Sequence, residues 1–282
     1  MDLVGTCRGF LKLGQGRAGL LLIAVCWPLH WLLPGVRSIY TFFPLWLGYT
    51  LAVDALVLSR AGSSLLTRSK ADFLRLFLVS APAWWLFEAI NLRTFNWDYL
   101  GQDQINILEG VLVGTLCFST VMPAVFETAE LIRTFRWTER FASGLRIQPT
   151  PPLCVGMLLV GLAMLVLMLA WPVYFYPFVW GSVFLIAEPL NIWLGRRHCF
   201  GWVGQGDWRP LLALSLGALT CGFFWELWNY YAYPKWIYHT PGVEFLRVFE
   251  MPLLGYIGYL FFAWELYALR NLMWREAPAL RI

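Results

Sequence analysis

Eight stretches of the chain are apolar at nearly every position: 19–35, 40–59, 74–92, 105–132, 153–171, 174–195, 210–230 and 248–270. Each is long enough for a helix rising about 1.5 Å per residue to cross most or all of a hydrocarbon layer about 30 Å thick. None alternates with period 2 as a membrane strand would, and most carry no polar stripe, so α-helices alone satisfy the backbone in lipid. The pattern predicts an all-α integral membrane protein with about eight transmembrane helices. The first stretch lacks a small-x-small cleavage site and is read as a structural helix rather than a leader.

The polar interruptions recur. Trp27-Pro28 returns as Trp171-Pro172, Asp54 as Glu188, and Phe87-Glu88-Ala89-Ile90-Asn91 as Trp225-Glu226-Leu227-Trp228-Asn229. Trp97-Asp98-Tyr99 returns as Trp236-Ile237-Tyr238, Glu109 followed by Gly114 as Glu250 followed by Gly255, and Phe126-Glu127 as Trp264-Glu265. Matching helices are four spans apart, an even number, so the expectation is two parallel four-helix repeats. That divides the chain into a segment 1–18, a first repeat 19–132, a Pro-containing basic linker 133–152, a second repeat 153–272 and a tail 273–282.

Composition agrees and adds direction. The chain is 59% hydrophobic and 13% charged over 282 residues, with a mean hydropathy of +0.61. A soluble domain carries about twice that charge. Disorder and a nucleic-acid-binding module are excluded on this balance. Of 21 Lys and Arg, only Arg37, Arg93, Lys235 and Arg247 fall on one side of an eight-span topology. The positive-inside rule then puts both termini in the cytoplasm, with a bacterial inner (plasma) membrane as the expected location.

Nine of the 17 acids lie within or at the edges of the spans: Asp54, Glu88, Glu109, Glu127, Glu130, Glu188, Glu226, Glu250 and Glu265. Ionised carboxylates at such depth are costly and therefore face a bundle interior. They form two layers. Asp54, Glu127, Glu188 and Glu265 lie near the cytoplasmic ends and are the secondary, inner layer. Glu88, Glu109, Glu226 and Glu250 lie near the other ends and are the candidate catalytic acids. Glu88/Asn91 and Glu226/Asn229 are i,i+3 pairs on one helix face. With Trp97, Tyr99, Trp225, Trp228, Trp236 and Tyr238 they supply an acid-lined aromatic pocket, in which Asn91, Asn229 and the rings are expected to bind substrate. A neutral carboxylic acid donates a proton, a carboxylate accepts one, and aromatic faces attract cations. Such parts suit redox-neutral acid chemistry on a hydrocarbon, with no cofactor and no metal.

The order of these residues resembles a known family. Trp-Glu in the second copy, a loop carrying W-x-Y, then an acid opening a long helix that ends in an aromatic-acid pair is similar to the lycopene cyclase domain. The resemblance covers the last three helices of each half. That family opens the long helix with P-x-E-E or P-x-E-D; here Asn106-Ile107-Leu108-Glu109 and Arg247-Val248-Phe249-Glu250 keep only the first acid. The resemblance implies a membrane enzyme that cyclises, hydrates or isomerises a carotenoid or other isoprenoid lipid. It makes Glu109 and Glu250 the principal acids and Glu88 and Glu226 their partners, the aromatic-rich second copy being favoured. The implied partners are the lipid bilayer, the isoprenoid substrate and other membrane enzymes of isoprenoid synthesis. A proton-coupled transporter and a non-catalytic membrane scaffold are the alternatives that duplicated helices with buried acids also fit.

Gly14-x-Gly16-x-x-Gly19 follows no strand and precedes a span, so it is not read as a dinucleotide site. The six Cys contain no C-x-x-C, and His30, His198 and His239 have no metal-ligand spacing.

Overall fold

A computed structural model describes residues 9–275 and 279–282 of the chain. The start of the 1–18 segment, with Cys7 and Arg8, and positions 276–278 of the tail lie outside the described residues. Six helices are long and apolar enough to cross a membrane: Ser38–Ala61, Lys70–Thr94, Ile107–Arg133, Pro151–Ala170, Pro172–Trp193 and Arg209–Tyr230. The fold is that of an all-α integral membrane protein. Two further helices, Gly14–Leu32 and Tyr256–Met273, pack alongside them; the first carries Arg17 and His30 and the second Glu265 and Arg270.

The helices are numbered in chain order. α1 (Gly14–Leu32) and α2 (Ser38–Ala61) form a tight hairpin, and α3 (Lys70–Thr94) follows after a single helical turn, Leu65–Arg68. Ser69 caps α3 by accepting the Asp72 amide at 3.1 Å. Strand β1 (Trp97–Leu100) leads to α4 (Ile107–Phe118) and α5 (Val121–Arg133). In the second half α6 (Pro151–Ala170) and α7 (Val179–Trp193) precede another helical turn, Phe200–Val203, then α8 (Arg209–Tyr230), strand β2 (Lys235–Tyr238) and α9 (Tyr256–Met273). Through the strand both halves run helix, helix, helical turn, helix, strand, after which the first has α4 and α5 and the second a short hairpin and α9. In packing, α1 on α2, α2 on α5 and α3 on α5 correspond to α6 on α7, α7 on α9 and α8 on α9.

The halves meet where α5 packs on α8 and α3 on α9. Small residues set the closest approaches, as expected where lipid offers no hydrophobic drive between helices. A Cβ on Gly19 would lie 2.6 Å from the Gly48 carbonyl oxygen, and one on Gly217 would lie 2.9 Å from that of Val125. The core between the halves is aromatic: Trp46, Phe87, Phe126, Trp228 and Phe262 are all fully buried.

The two halves differ at their last helix. The apolar stretch 248–270 predicts a helix from its first residue, yet α9 begins only at Tyr256. Arg247–Val248 and Met251–Pro252 instead pair as a tiny hairpin, β3 and β4. Phe249 turns it with a left-handed φ of 59°, and Pro252 has no amide to give a helix. Glu250 therefore sits in a tight turn, whereas Glu109 occupies the first turn of α4.

Candidate functional site

The site is assembled at one end of the bundle by the ribbon of β1 and β2. They pair antiparallel with Trp97 opposite Tyr238 and Tyr99 opposite Trp236. Successive strand residues point to opposite faces, so W-x-Y in each strand puts all four rings on one face. Asp98, on the other face, is exposed.

Asn91 and Asn229 hold the ribbon to the helices. The Asn91 amide donates to the Trp97 carbonyl at 2.8 Å, and its oxygen accepts the Asn96 amide at 2.8 Å. Asn229 does the same for Trp236, at 2.7 Å and 2.9 Å. Their polar groups are spent on backbone and do not line the cavity. Both were expected to bind substrate; the bonds they make are to the ribbon's backbone.

Each helix then presents its acid, one turn before the Asn, to the rings so placed. Glu88 Oε1 accepts from the Tyr99 hydroxyl at 2.6 Å, the Trp84 indole at 2.8 Å and the Trp97 indole at 3.2 Å. Glu226 Oε1 accepts from the Tyr238 hydroxyl at 2.6 Å, the Tyr259 hydroxyl at 3.0 Å and the Trp236 indole at 3.4 Å. Glu226 is fully buried and its Oε2 has no partner among the described residues. Burial, reinforced by the neighbouring carboxylates, pushes the Tyr99 and Tyr238 hydroxyls well above the usual tyrosine range and keeps them protonated donors.

Both sets of donors open on one shared cavity of about 220 Å³, walled by Trp84, Trp97, Tyr99, Trp236, Tyr238 and Tyr259. Its floor includes Trp180, Trp225 and Phe262, and Gly110 and Gly114 of α4 and Met251 of the hairpin form one side. Trp225 stacks on Tyr259 with centroids 6.0 Å apart. Trp228 lies deeper, 4.9 Å from Trp46, and does not reach the cavity. Residues of both halves thus wall this cavity.

The two acids at the start of the last helices fare differently. Glu109 is exposed, accepting from its own helix cap Asn106 at 3.1 Å and from Tyr40 at 3.3 Å. It does not join the cluster around Glu88. Glu250 is ion-paired with Lys235 at the cavity edge. Sequence reading found no basic residue to neutralise these acids because the partner comes from the ribbon instead of a span.

None of the inner acids lines the cavity. Asp54 accepts the Leu66 amide at 3.0 Å, the Ser64 hydroxyl at 2.9 Å and Gln15 at 2.7 Å. Glu188 accepts the Phe200 amide at 3.2 Å, likewise twelve residues onward, and Glu265 the Phe184 amide at 3.4 Å. Glu127 is fully buried beside Asp54. Asp54, Glu188 and Glu265 tie turns and helix starts to the bundle, a structural task.

Sequence reading missed Trp84, Tyr259, Phe262, His30 and Lys235. Trp84 was legible as the i−4 neighbour of Glu88. Tyr259 was not, because its counterpart in the first half is Phe118. At the position matching Trp84 the second half has Gly222, and the Tyr259 ring fills that space: a Cβ there would meet it at 2.5 Å. The third donor is kept but comes from the next helix. Among the described residues no three of His, Cys, Asp and Glu converge as a metal site requires. No family model, curated protein or solved structure matches the chain.

Proposed function

We propose that the chain is a membrane enzyme that uses the Glu226–Tyr238–Tyr259 cluster for acid-initiated, redox-neutral chemistry on an isoprenoid or carotenoid chain. The observation that carries this reading is the pairing of buried carboxylates with phenol and indole donors around one aromatic, apolar cavity. With Glu226 protonated, its carboxyl donates to the Tyr238 or Tyr259 hydroxyl, reversing the bond of the resting site, and that phenol passes its own proton into the cavity. It adds to the end carbon of a carbon–carbon double bond, forming one C–H bond and leaving a cation on the neighbouring carbon. The faces of Trp97, Trp225 and Trp236 stabilise that cation. Ring closure onto a second double bond, or none, is followed by loss of a proton from an adjacent carbon to the carboxylate. The substrate neither gains nor loses electrons.

Glu88 with Tyr99 is the matching cluster of the first half. The second cluster is favoured because its acid is fully buried and has two phenols. The similarity to the lycopene cyclase domain supports the substrate class. The repeated element order, the two Asn-ribbon clamps and the Asp54 and Glu188 bonds support a parallel duplication. In this reading α1 and α9 complete eight spans, and the basic end of the bundle with both termini faces the cytoplasm of a bacterial inner membrane.

The test is a lipid extract from cells making lycopene and other polyenes, with and without the protein and with Glu226→Gln. A cyclised, hydrated or isomerised product that requires Glu226 is expected. No new product across the panel overturns the enzyme reading, and proton-coupled flux in reconstituted vesicles in its place would favour the transporter.

A further inference from the structure

At the end of the bundle opposite the ribbon lies a second cavity, of about 290 Å³, with walls of mixed polar and apolar groups where those of the first are almost wholly apolar. Four arginines line it: Arg60 at the end of α2, Arg68 at the end of the single helical turn, Arg133 at the end of α5, and Arg281 from the tail. Glu130 is the one acid in that lining. It is ion-paired with Arg68 and accepts the backbone amide of Arg281 at 2.6 Å. Arg68 also donates to the Ala279 carbonyl at 2.7 Å. The Arg68–Glu130 pair therefore builds the wall and pins the tail across the opening.

The remaining guanidinium groups are arranged around the void. Arg281 reaches the Ser63 hydroxyl at 3.1 Å, and Arg60 holds the Thr134 hydroxyl and carbonyl. The Nε–H of Arg133 is buried and has no acceptor among the described residues. A buried charged donor without an acceptor is expensive, and topology signals alone leave arginines on exposed loops. Converging guanidinium forks match a phosphate group, which offers several acceptor oxygens and compensating negative charge.

We propose that this pocket binds a phosphate group, with Arg133, Arg281 and Arg60 as its ligands and Arg68–Glu130 as the pair that orders them. The inference is independent of the chemistry assigned to the aromatic cavity. A phosphate there belongs either to an anionic phospholipid headgroup or to a soluble phosphate compound.

Full-length protein in detergent is titrated with inorganic phosphate and pyrophosphate by calorimetry at constant ionic strength. In a second arm, nanodiscs containing phosphatidylglycerol or phosphatidylcholine are followed by native mass spectrometry for retained lipid. One saturable site is expected. Arg133→Gln and Arg281→Gln each weaken it at least tenfold, and Arg133→Lys weakens it less. Arg140→Gln, an exposed arginine of the same end, leaves it unchanged. Saturation by the free anions identifies a soluble ligand; selective retention of phosphatidylglycerol identifies the headgroup. Binding in neither arm, or binding that Arg140→Gln weakens as much as Arg133→Gln does, overturns the proposal. Arg281 lies in the tail outside every helix, so that variant reports on the site even if Arg133→Gln does not fold.

Discussion

Replacing Gly222 with Trp and Tyr259 with Phe should give Glu226 the donor set that Glu88 already has. In the first half Trp84 reaches Glu88 from one turn earlier, and Phe118 packs beside it with centroids 6.0 Å apart. In the second half Gly222 leaves room for Tyr259 to donate to Glu226 at 3.0 Å. A Cβ on Gly222 would lie 2.5 Å from that ring, where ordinary contact is 3.4–4 Å. The ring must therefore retreat by roughly 1 Å, which breaks the hydroxyl bond. Overpacking costs about 1–3 kcal/mol, and losing a hydrogen bond to a charged partner costs about 1.5–3 kcal/mol. Gly222→Ala should thus cost about 2.5–6 kcal/mol, and Gly222→Trp more. Tyr259→Phe alone should cost only the bond, about 1.5–3 kcal/mol. The double variant Gly222→Trp/Tyr259→Phe should be more stable than Gly222→Trp by about 2 kcal/mol or more, since the indole replaces the lost donor. Titration with SDS in mixed micelles, followed by tryptophan fluorescence, measures each corner of the cycle. A double variant no better than Gly222→Trp, or Gly222→Ala within about 0.5 kcal/mol of wild type, would refute the exchange.

Asn229→Ala strands a strand amide and a carbonyl; a loss of about 2–4 kcal/mol is expected, with faster hydrogen exchange confined first to 235–238. Lys235→Ala leaves Glu250 charged and unpaired, so it should destabilise more than Lys235→Ala combined with Glu250→Gln in the same SDS titration. Glu109→Gln, at an exposed carboxylate, should change stability by less than about 0.5 kcal/mol and leave product formation intact. Raised phenol pKa values mean that the stability tied to protonated Tyr99 and Tyr238 is fully present below the unfolded-chain value of about 10 and falls progressively above it, toward their higher folded-state values. Ultraviolet titration to that pH should leave Tyr99 and Tyr238 un-ionised, and early ionisation of either would contradict their burial.

Much of this site was readable because it rests on local periodicity. E-x-x-N places an acid and an amide on one helical face, and W-x-Y places two rings on one strand face; both spacings survive in the folded protein. What those residues do to one another was not readable. Asn91 and Asn229 looked like substrate ligands, but the ribbon's backbone needed partners and took them. That both halves wall one cavity depends on β1 meeting β2, a pairing 139 residues apart at Asp98 and Ile237 that no local pattern specifies. Glu250 matched Glu109 in position, yet Phe249 and Pro252 turn the chain into a hairpin and hand the acid to Lys235. The donor exchange between Trp84 and Tyr259 was hidden because each half solves the same need with a different helix. Helix ends were hardest for a related reason: an apolar run says where lipid can be, not where the backbone turns.

In the proposed reaction a proton passes from Glu226 to a carbon of the substrate. Polyene conversion in deuterated water, with the product analysed by mass spectrometry and NMR, tests it most directly. The account predicts one carbon-bound deuterium per initiating protonation, at a carbon of the original double bond, and loss of the labelled product in Glu226→Gln. An unlabelled product, or full labelling in the Glu226→Gln protein, would contradict it.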